Sequence, residues 1–192
     1  MWDDIHKSRE WGRYPKEELV RFVIKNYDSK KDAVFLDLGC GSGASTWFLD
    51  NEGFEVAAID ASSHAIARLK GKMCWVDARV ADATALPYRP NTFDCVIDIV
   101  CTAHNDPQDA IKIVSEINRV LKPDGKLFSM MPTWKTDRRP FEGKGNAIFL
   151  DLPAVQALFE PLFELKVGFS EFTDNITNGQ SVANWVIEAT KR

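Results

Sequence analysis

The stretch that decides the fold is Val34-Phe35-Leu36-Asp37-Leu38-Gly39-Cys40-Gly41-Ser42-Gly43-Ala44-Ser45-Thr46-Trp47-Phe48-Leu49. From Ala33 to Leu38 the chain is apolar over the length of one short strand. Gly39 to Gly43 breaks that run. Ala44 to Asn51 then resumes a helical pattern, which Gly53 is placed to end. A strand that leaves through glycines into a helix can turn tightly and bring its backbone close to a ligand. The unpaired N–H groups of the first helical turn face the same place.

Moving outward, Phe54 to Ile59 predicts a second strand that ends at Asp60, 17 residues after Gly43. An acid at that point can accept hydrogen bonds from a ribose diol. Ser62 or Ser63 can cap a helix through about Leu69. Asp77 to Ala81 predicts a weaker third strand. Phe93 to Val100 predicts a fourth, apolar enough to be covered on both faces. Asp106, Pro107 and Asp109 supply a cap, a proline at the first helical position and an acid two residues on. Ile111, Ile113, Val114, Ile117, Val120 and Leu121 follow as a broad buried face. Pro123-Asp124-Gly125 turns the chain into a fifth strand, Lys126 to Met131.

Upstream, Pro15 opens a helix from Lys16 to Tyr27 with the stripe Leu19, Val20, Val23 and Ile24. Downstream, Leu152 to Phe159 reads as helix. Phe163 to Phe169 and Ser181 to Ala189 read as strands joined by the polar stretch Thr173 to Gly179, and with no helix between them they are expected to be antiparallel. Strand alternating with helix argues for an α/β fold with a mostly parallel sheet. The stretch 133–149 is polar, basic and glycine-containing, and is expected to be a functional loop on the acceptor side.

The chain has 192 residues, enough for a single domain over 1–192. A hydrophobic fraction of 45% and a charged fraction of 27% are ordinary for a globular protein. The net charge of −4 lacks the basic footprint of a duplex-binding domain, so nucleic acid is not the expected partner. No apolar run approaches a membrane span. The N-terminus, MWDDIHKSREWGRY, lacks the apolar core of a secretory signal, so a cytoplasmic location is expected. Cys40, Cys74, Cys95 and Cys101 form no C-x-x-C pair and are expected to be packing residues.

Glycines followed by an acid admit two cofactors. The dinucleotide fingerprint wants G-x-G-x-x-G, whereas here the string is Gly39-Cys40-Gly41-Ser42-Gly43-Ala44. Asp37 departs further, because a dehydrogenase wants an apolar residue there. An acid suits the amine of an amino-acid-like ligand.

At these residues the chain resembles the class I S-adenosylmethionine-dependent methyltransferases, in the form of their type 11 small-molecule branch. The glycine stretch resembles the family's first motif. Asp60 resembles its ribose-binding acid, and Asp82-Ala83-Thr84-Ala85-Leu86-Pro87 its adenine-holding segment. Phe93-Asp94-Cys95-Val96-Ile97-Asp98 resembles the fourth strand, and Asn118 to Leu127 the helix, turn and strand that follow. The resemblance covers roughly residues 33 to 131.

It implies a Rossmann-like seven-stranded sheet of order 3-2-1-4-5-7-6, with strand 7 antiparallel and helices on both faces. It implies S-adenosyl-L-methionine as cofactor and S-adenosyl-L-homocysteine as product. Cofactor contacts would come from Asp37, Gly39, Cys40, Gly41, Gly43, Asp60, Ala61, Asp82, Ala83 and Ile99. Residues Asp98 to Cys101 would floor the transfer site.

The acceptor is expected to be a small molecule attacked in line, with the chain a monomer or homodimer. A nucleic-acid or protein acceptor is the alternative, kept open by Lys135, Arg138, Arg139 and Lys144. A non-catalytic cofactor-binding subunit is the third reading. His104 is the candidate general base, and Asp98 is a second catalytic candidate. Trp134, Arg138 and Arg139 are candidates for holding the acceptor. No metal is expected. Residues 1–27 are expected to form a lid and helix, with Trp11 to Tyr14 folding over the glycine loop and Arg13 meeting the donor carboxylate. Each acid also has a structural role open to it: Asp37, Asp60 and Asp82 can cap turns, and Asp98 can face a buried amide network.

Overall fold

The computed structural model describes residues 2–8, 14–28, 33–133, 150–174 and 180–192. Seven strands form one sheet in the order β3-β2-β1-β4-β5-β7-β6. They are β1 (Val34–Leu38), β2 (Glu55–Asp60), β3 (Asp77–Val80), β4 (Phe93–Ile99), β5 (Leu121–Pro132), β6 (Phe163–Asp174) and β7 (Gln180–Lys191). Strands β1 to β5 pair in parallel, while β7 is antiparallel to both β5 and β6. This is the expected sheet order and strand polarity.

Period-two alternation along β1 builds a core on each face of the sheet. Phe35 points into one cluster with Leu19, Phe22 and Val23 of α2 (Glu17–Asn26), Leu49 of α3 (Ala44–Asn51) and Leu69 of α4 (Ser63–Lys72). Leu36 and Leu38 point into the other. There they meet Ile113, Val114 and Ile117 of α5 (Pro107–Val120) and Phe159 of α6 (Leu152–Phe159). The caps fall where the sequence places them. The Ser62 hydroxyl accepts from Ala65 N, and the Asp106 carboxylate accepts from Gln108 N and Asp109 N. Each such cap contributes about 1 kcal/mol.

Four elements depart from expectation. Strand β5 begins at Leu121 and carries the 122–125 turn inside itself as a bulge: Phe93 pairs with Leu121 and Cys95 with Lys126. Asp124 adopts φ 60 there. Strands β6 and β7 run 12 residues each, longer than the apolar alternation suggests, because they pair continuously with one another. Finally, a helix the sequence reading did not foresee, α1 (Trp2–Ser8), lies against α4. Among the described residues no helix is long and apolar enough to cross a membrane.

Candidate functional site

The carboxyl ends of β1, β2 and β4 meet at the glycine loop, where open α/β sheets place their ligands. The loop continues the sheet pairing for one step, Cys40 N donating to Ile59 O at 2.9 Å, and then turns with Gly43 N donating to Cys40 O at 2.9 Å. Gly39, Gly41 and Gly43 all have positive φ, at 68, 51 and 85, a region costly for residues bearing a Cβ. Each is also hemmed by a different element. A Cβ on Gly39 would collide with Cys101, one on Gly41 would sit 3.3 Å from His6 Cε1, and one on Gly43 would press on Leu69 and Met73.

Asp60 ties the loop to the start of α4. Its Oδ2 accepts from Gly41 N at 2.9 Å and its Oδ1 from Ser62 N at 2.8 Å. Ala61 between them is exposed. Asp37 is buried at the end of β1, where its Oδ2 accepts from the Thr46 hydroxyl at 2.6 Å. Burial pushes its carboxyl up to about 6 against those Thr46 bonds, and the charges of Asp60 and Asp98 push the same way. Acidic side chains at the ends of three adjacent strands, Asp60, Asp37 and Asp98, therefore give this edge of the sheet a negative potential. It would repel the pyrophosphate of a dinucleotide. It suits the ammonium, sulfonium and ribose diol of S-adenosylmethionine.

Asp82 is exposed and shapes its own turn: Oδ1 accepts from the Thr84 N–H and from the Thr84 hydroxyl, both at 2.8 Å. Ala83 is half-buried next to it.

Asp98 does not have the open geometry expected of a catalytic group. It is fully buried, and its carboxylate accepts from Cys101 N, Thr102 N and the Ser129 hydroxyl at 2.9–3.1 Å. Burial raises its pKa, against those bonds. It holds the turn after β4, where Val100 takes φ 67, a strained conformation for a β-branched residue. Ile99 is half-buried at the strand end.

His104 ends the short 3₁₀ turn Thr102–His104. Burial lowers its pKa to about 4, so the imidazole is neutral at neutral pH but a weak base. The Trp2 indole stands edge-on to it, ring centroids 4.8 Å apart.

The sequence reading missed α1. Asp3 accepts from the Ser62 and Ser63 hydroxyls and from His64 N at 2.8–3.1 Å, and pairs with His64 Nδ1 at 2.9 Å. Those bonds, His64 foremost, hold its carboxyl well below the usual range. The helix thus bridges the site from α4 to His104, with buried His6 over Gly41. The one sign of it in the sequence was charge order: Asp3 and Asp4 in the first turn, His6 and Lys7 in the last. Arg13, Trp134, Arg138 and Arg139 lie outside the described residues. Among the described residues no group of three or more His, Cys, Asp or Glu could hold a metal ion.

Residues 35–125 match a family model described as a methyltransferase domain. Norajmaline N-methyltransferase of Rauvolfia serpentina is 35% identical over 119 residues, covering 58% of this chain and 40% of the relative. The chain spans between 23% and 54% of the curated relatives it matches. A SAM-dependent methyltransferase structure from Methanosarcina mazei superposes with TM-score 0.73 at 23% identity, covering 88% of this chain and 96% of that one. The Burkholderia thailandensis 1,6-didemethyltoxoflavin-N1-methyltransferase, solved with bound 1,6-didemethyltoxoflavin and S-adenosylhomocysteine, gives TM-score 0.70 at 19% identity over 92% of this chain and 77% of that one.

Proposed function

We propose, on the premise that this chain belongs to the class I S-adenosylmethionine-dependent methyltransferases, that it methylates a small-molecule acceptor by direct in-line attack on the donor methyl. The observation that carries the reading is the meeting of Asp37, Asp60 and the glycine loop at the ends of β1 and β2. S-adenosylmethionine, when bound, supplies a methyl group already activated on a sulfonium. The chain's own residues have the task of binding, orienting and excluding water.

Asp37 would meet the ammonium and Asp60 the ribose diol. Asp82 and the Ala83 N–H would meet adenine. Cys40, Gly39 and Ile99 would line the methionine arm. Asp98 would keep the post-β4 turn in place as a positioning residue. His104 would border the acceptor as a neutral hydrogen-bond partner. Its lowered basicity favours acceptors that need little help losing a proton, such as amines. The proteins this chain resembles include N-methyltransferases, which agrees with that chemistry. Helix α1 would close the site as a lid.

Calorimetry with S-adenosylmethionine and S-adenosylhomocysteine tests the donor, and NADH in the same titration tests the dehydrogenase alternative. Transfer of labelled methyl into a fractionated extract tests the acceptor. Label is expected in the small-molecule fraction. Label in nucleic acid or protein alone would overturn the acceptor class.

A further inference from the structure

Residues 82–88 lie in the connection from β3 to β4, which has neither helix nor strand. This segment forms no ladder of its own, so its shape depends on groups outside it. Two side chains of α5 provide them. Arg119 donates from Nη1 to the Tyr88 carbonyl at 2.8 Å and from Nη2 to the Leu86 carbonyl at 3.0 Å. The Leu86 N–H donates to Glu116 Oε2 at 2.7 Å. Glu116 is in turn held by Arg119, Nε to Oε1 at 2.6 Å and Nη2 to Oε2 at 2.7 Å.

The backbone of Leu86 is thus bound on both its polar groups by one ion pair. The Leu86 side chain is buried beneath, and the Tyr88 ring lies edge-on to Phe93 at 4.9 Å. From β3, Arg79 donates to the Pro87 carbonyl at 3.1 Å, with its guanidinium 4.7 Å from the Tyr88 ring centre.

A Glu and an Arg three residues apart on a helix usually form a solvated pair of little energetic worth. Here the guanidinium reaches past its partner to bridge two carbonyls of another segment. A lysine, with one point of charge, cannot reproduce that fork. The bridged residues start four positions after Asp82, whose carboxylate direction is set by the same turn through Thr84 and through Ala85 N donating to Asp82 O at 3.1 Å. A shift at Leu86 therefore moves the 82–85 turn.

We propose that Glu116 and Arg119 are positioning residues for the donor's base: they fix the 82–88 segment and through it the preference for a 6-aminopurine. The inference rests on the reading of Asp82 and Ala83 as adenine contacts. A carboxylate acceptor and an N–H donor side by side match the 6-amino group and N1 of adenine. Both are mismatched by hypoxanthine, which carries a 6-oxygen and a proton on N1.

The test compares S-adenosylhomocysteine with S-inosylhomocysteine by calorimetry on the wild-type protein and on Arg119→Lys, Arg119→Ala and Glu116→Gln. Circular dichroism and the unfolding midpoint report whether each variant folds. The wild type should prefer the adenine ligand. In Arg119→Lys and Arg119→Ala, affinity for it should fall about tenfold, the scale of one well-placed hydrogen bond. The inosine ligand should change little, so the preference shrinks. Glu116→Gln, which keeps an acceptor for the Leu86 N–H, should lose less. A purely structural role would lower the midpoint and leave the ratio of the two affinities intact, and that outcome overturns the inference. If Arg119→Ala does not fold, Arg119→Lys decides. If the wild type binds neither ligand, the donor reading itself falls. If it binds both equally, the adenine assignment falls and the inference with it, while the donor reading stands.

Discussion

Gly39 and Cys101 pack against each other where β1 and β4 end, so closely that a Cβ on Gly39 would come within 2.6 Å of the Cys101 Cβ and 2.7 Å of its Sγ. The first glycine of the loop is therefore required by the protein's own packing, not only by a ligand. Gly39→Ala should destabilise the fold by about 2–4 kcal/mol, from left-handed backbone strain and overpacking together. In urea unfolding, Gly39→Ala combined with Cys101→Gly should recover the overpacking part relative to Cys101→Gly alone. Simple additivity of the two changes would show that Cys101 is not the obstacle.

Asp60 holds the N–H groups of Gly41 and Ser62, so its loss acts on both the loop and the ligand. Asp60→Ala should weaken S-adenosylhomocysteine binding by about 1.5–3 kcal/mol, the range for charge-assisted bonds. Calorimetry reads this directly. Unchanged affinity would mean that Asp60 only clasps the backbone.

Asp37 gives the site a pH dependence of definite sign. Its folded value is about 6, above the ordinary 3.8. A raised carboxyl favours the folded state when protonated. Its stabilising contribution is thus fully present below 3.8 and is lost as pH rises through about 6, amounting to roughly 3 kcal/mol. Donor binding should run the other way, because an ammonium favours the ionised form: affinity should fall as pH drops below about 6. Asp37→Asn should flatten both trends between pH 4 and 7. Parallel profiles for the two proteins, in urea midpoint and in donor affinity, would remove Asp37 from this role.

Helix α1 is tied down near its start, by Asp3 on α4 and by Trp2 against His104. Asp3→Ala should speed hydrogen exchange of the amides in 2–8, and bound donor should slow it again if the helix closes over the site. Exchange indifferent to donor in both proteins would leave α1 as packing alone. In the same samples the His104 ring should remain neutral by nuclear magnetic resonance down to about pH 4. With its pKa lowered by burial, the stability it contributes is present above the ordinary 6.5 and is lost as pH falls through about 4.

Most of the sheet was legible because its signals are local. The glycine string breaks β1, Asp106-Pro107 starts α5, and the lack of a helix between β6 and β7 makes them antiparallel. What escaped depends on contacts distant in sequence. Helix α1 has too few apolar residues for a periodic stripe, and its support comes from Ser62, Ser63 and His64. Asp98 reads equally as an available acid or as the anchor of a buried network, and its burial against Ser129 supports the second. The roles of Glu116 and Arg119 were not legible at all, since the backbone groups of Leu86 and Tyr88 that they bind leave no mark in the sequence.

The sheet order also constrains the time course of assembly. Strand β6 precedes β7 in the chain, yet among the described residues β7 is the only neighbour β6 has in the sheet, and β7 also covers the flank of β5. During synthesis, the edges of β5 and β6 stay open until Gln180–Lys191 has emerged. A nascent chain halted before that point would expose two unpaired strand edges at once, one of them bordering a finished parallel core. Such edges template association between chains. The closing strand therefore governs how safely the protein is made, although it lies at the far side of the sheet from the glycine loop.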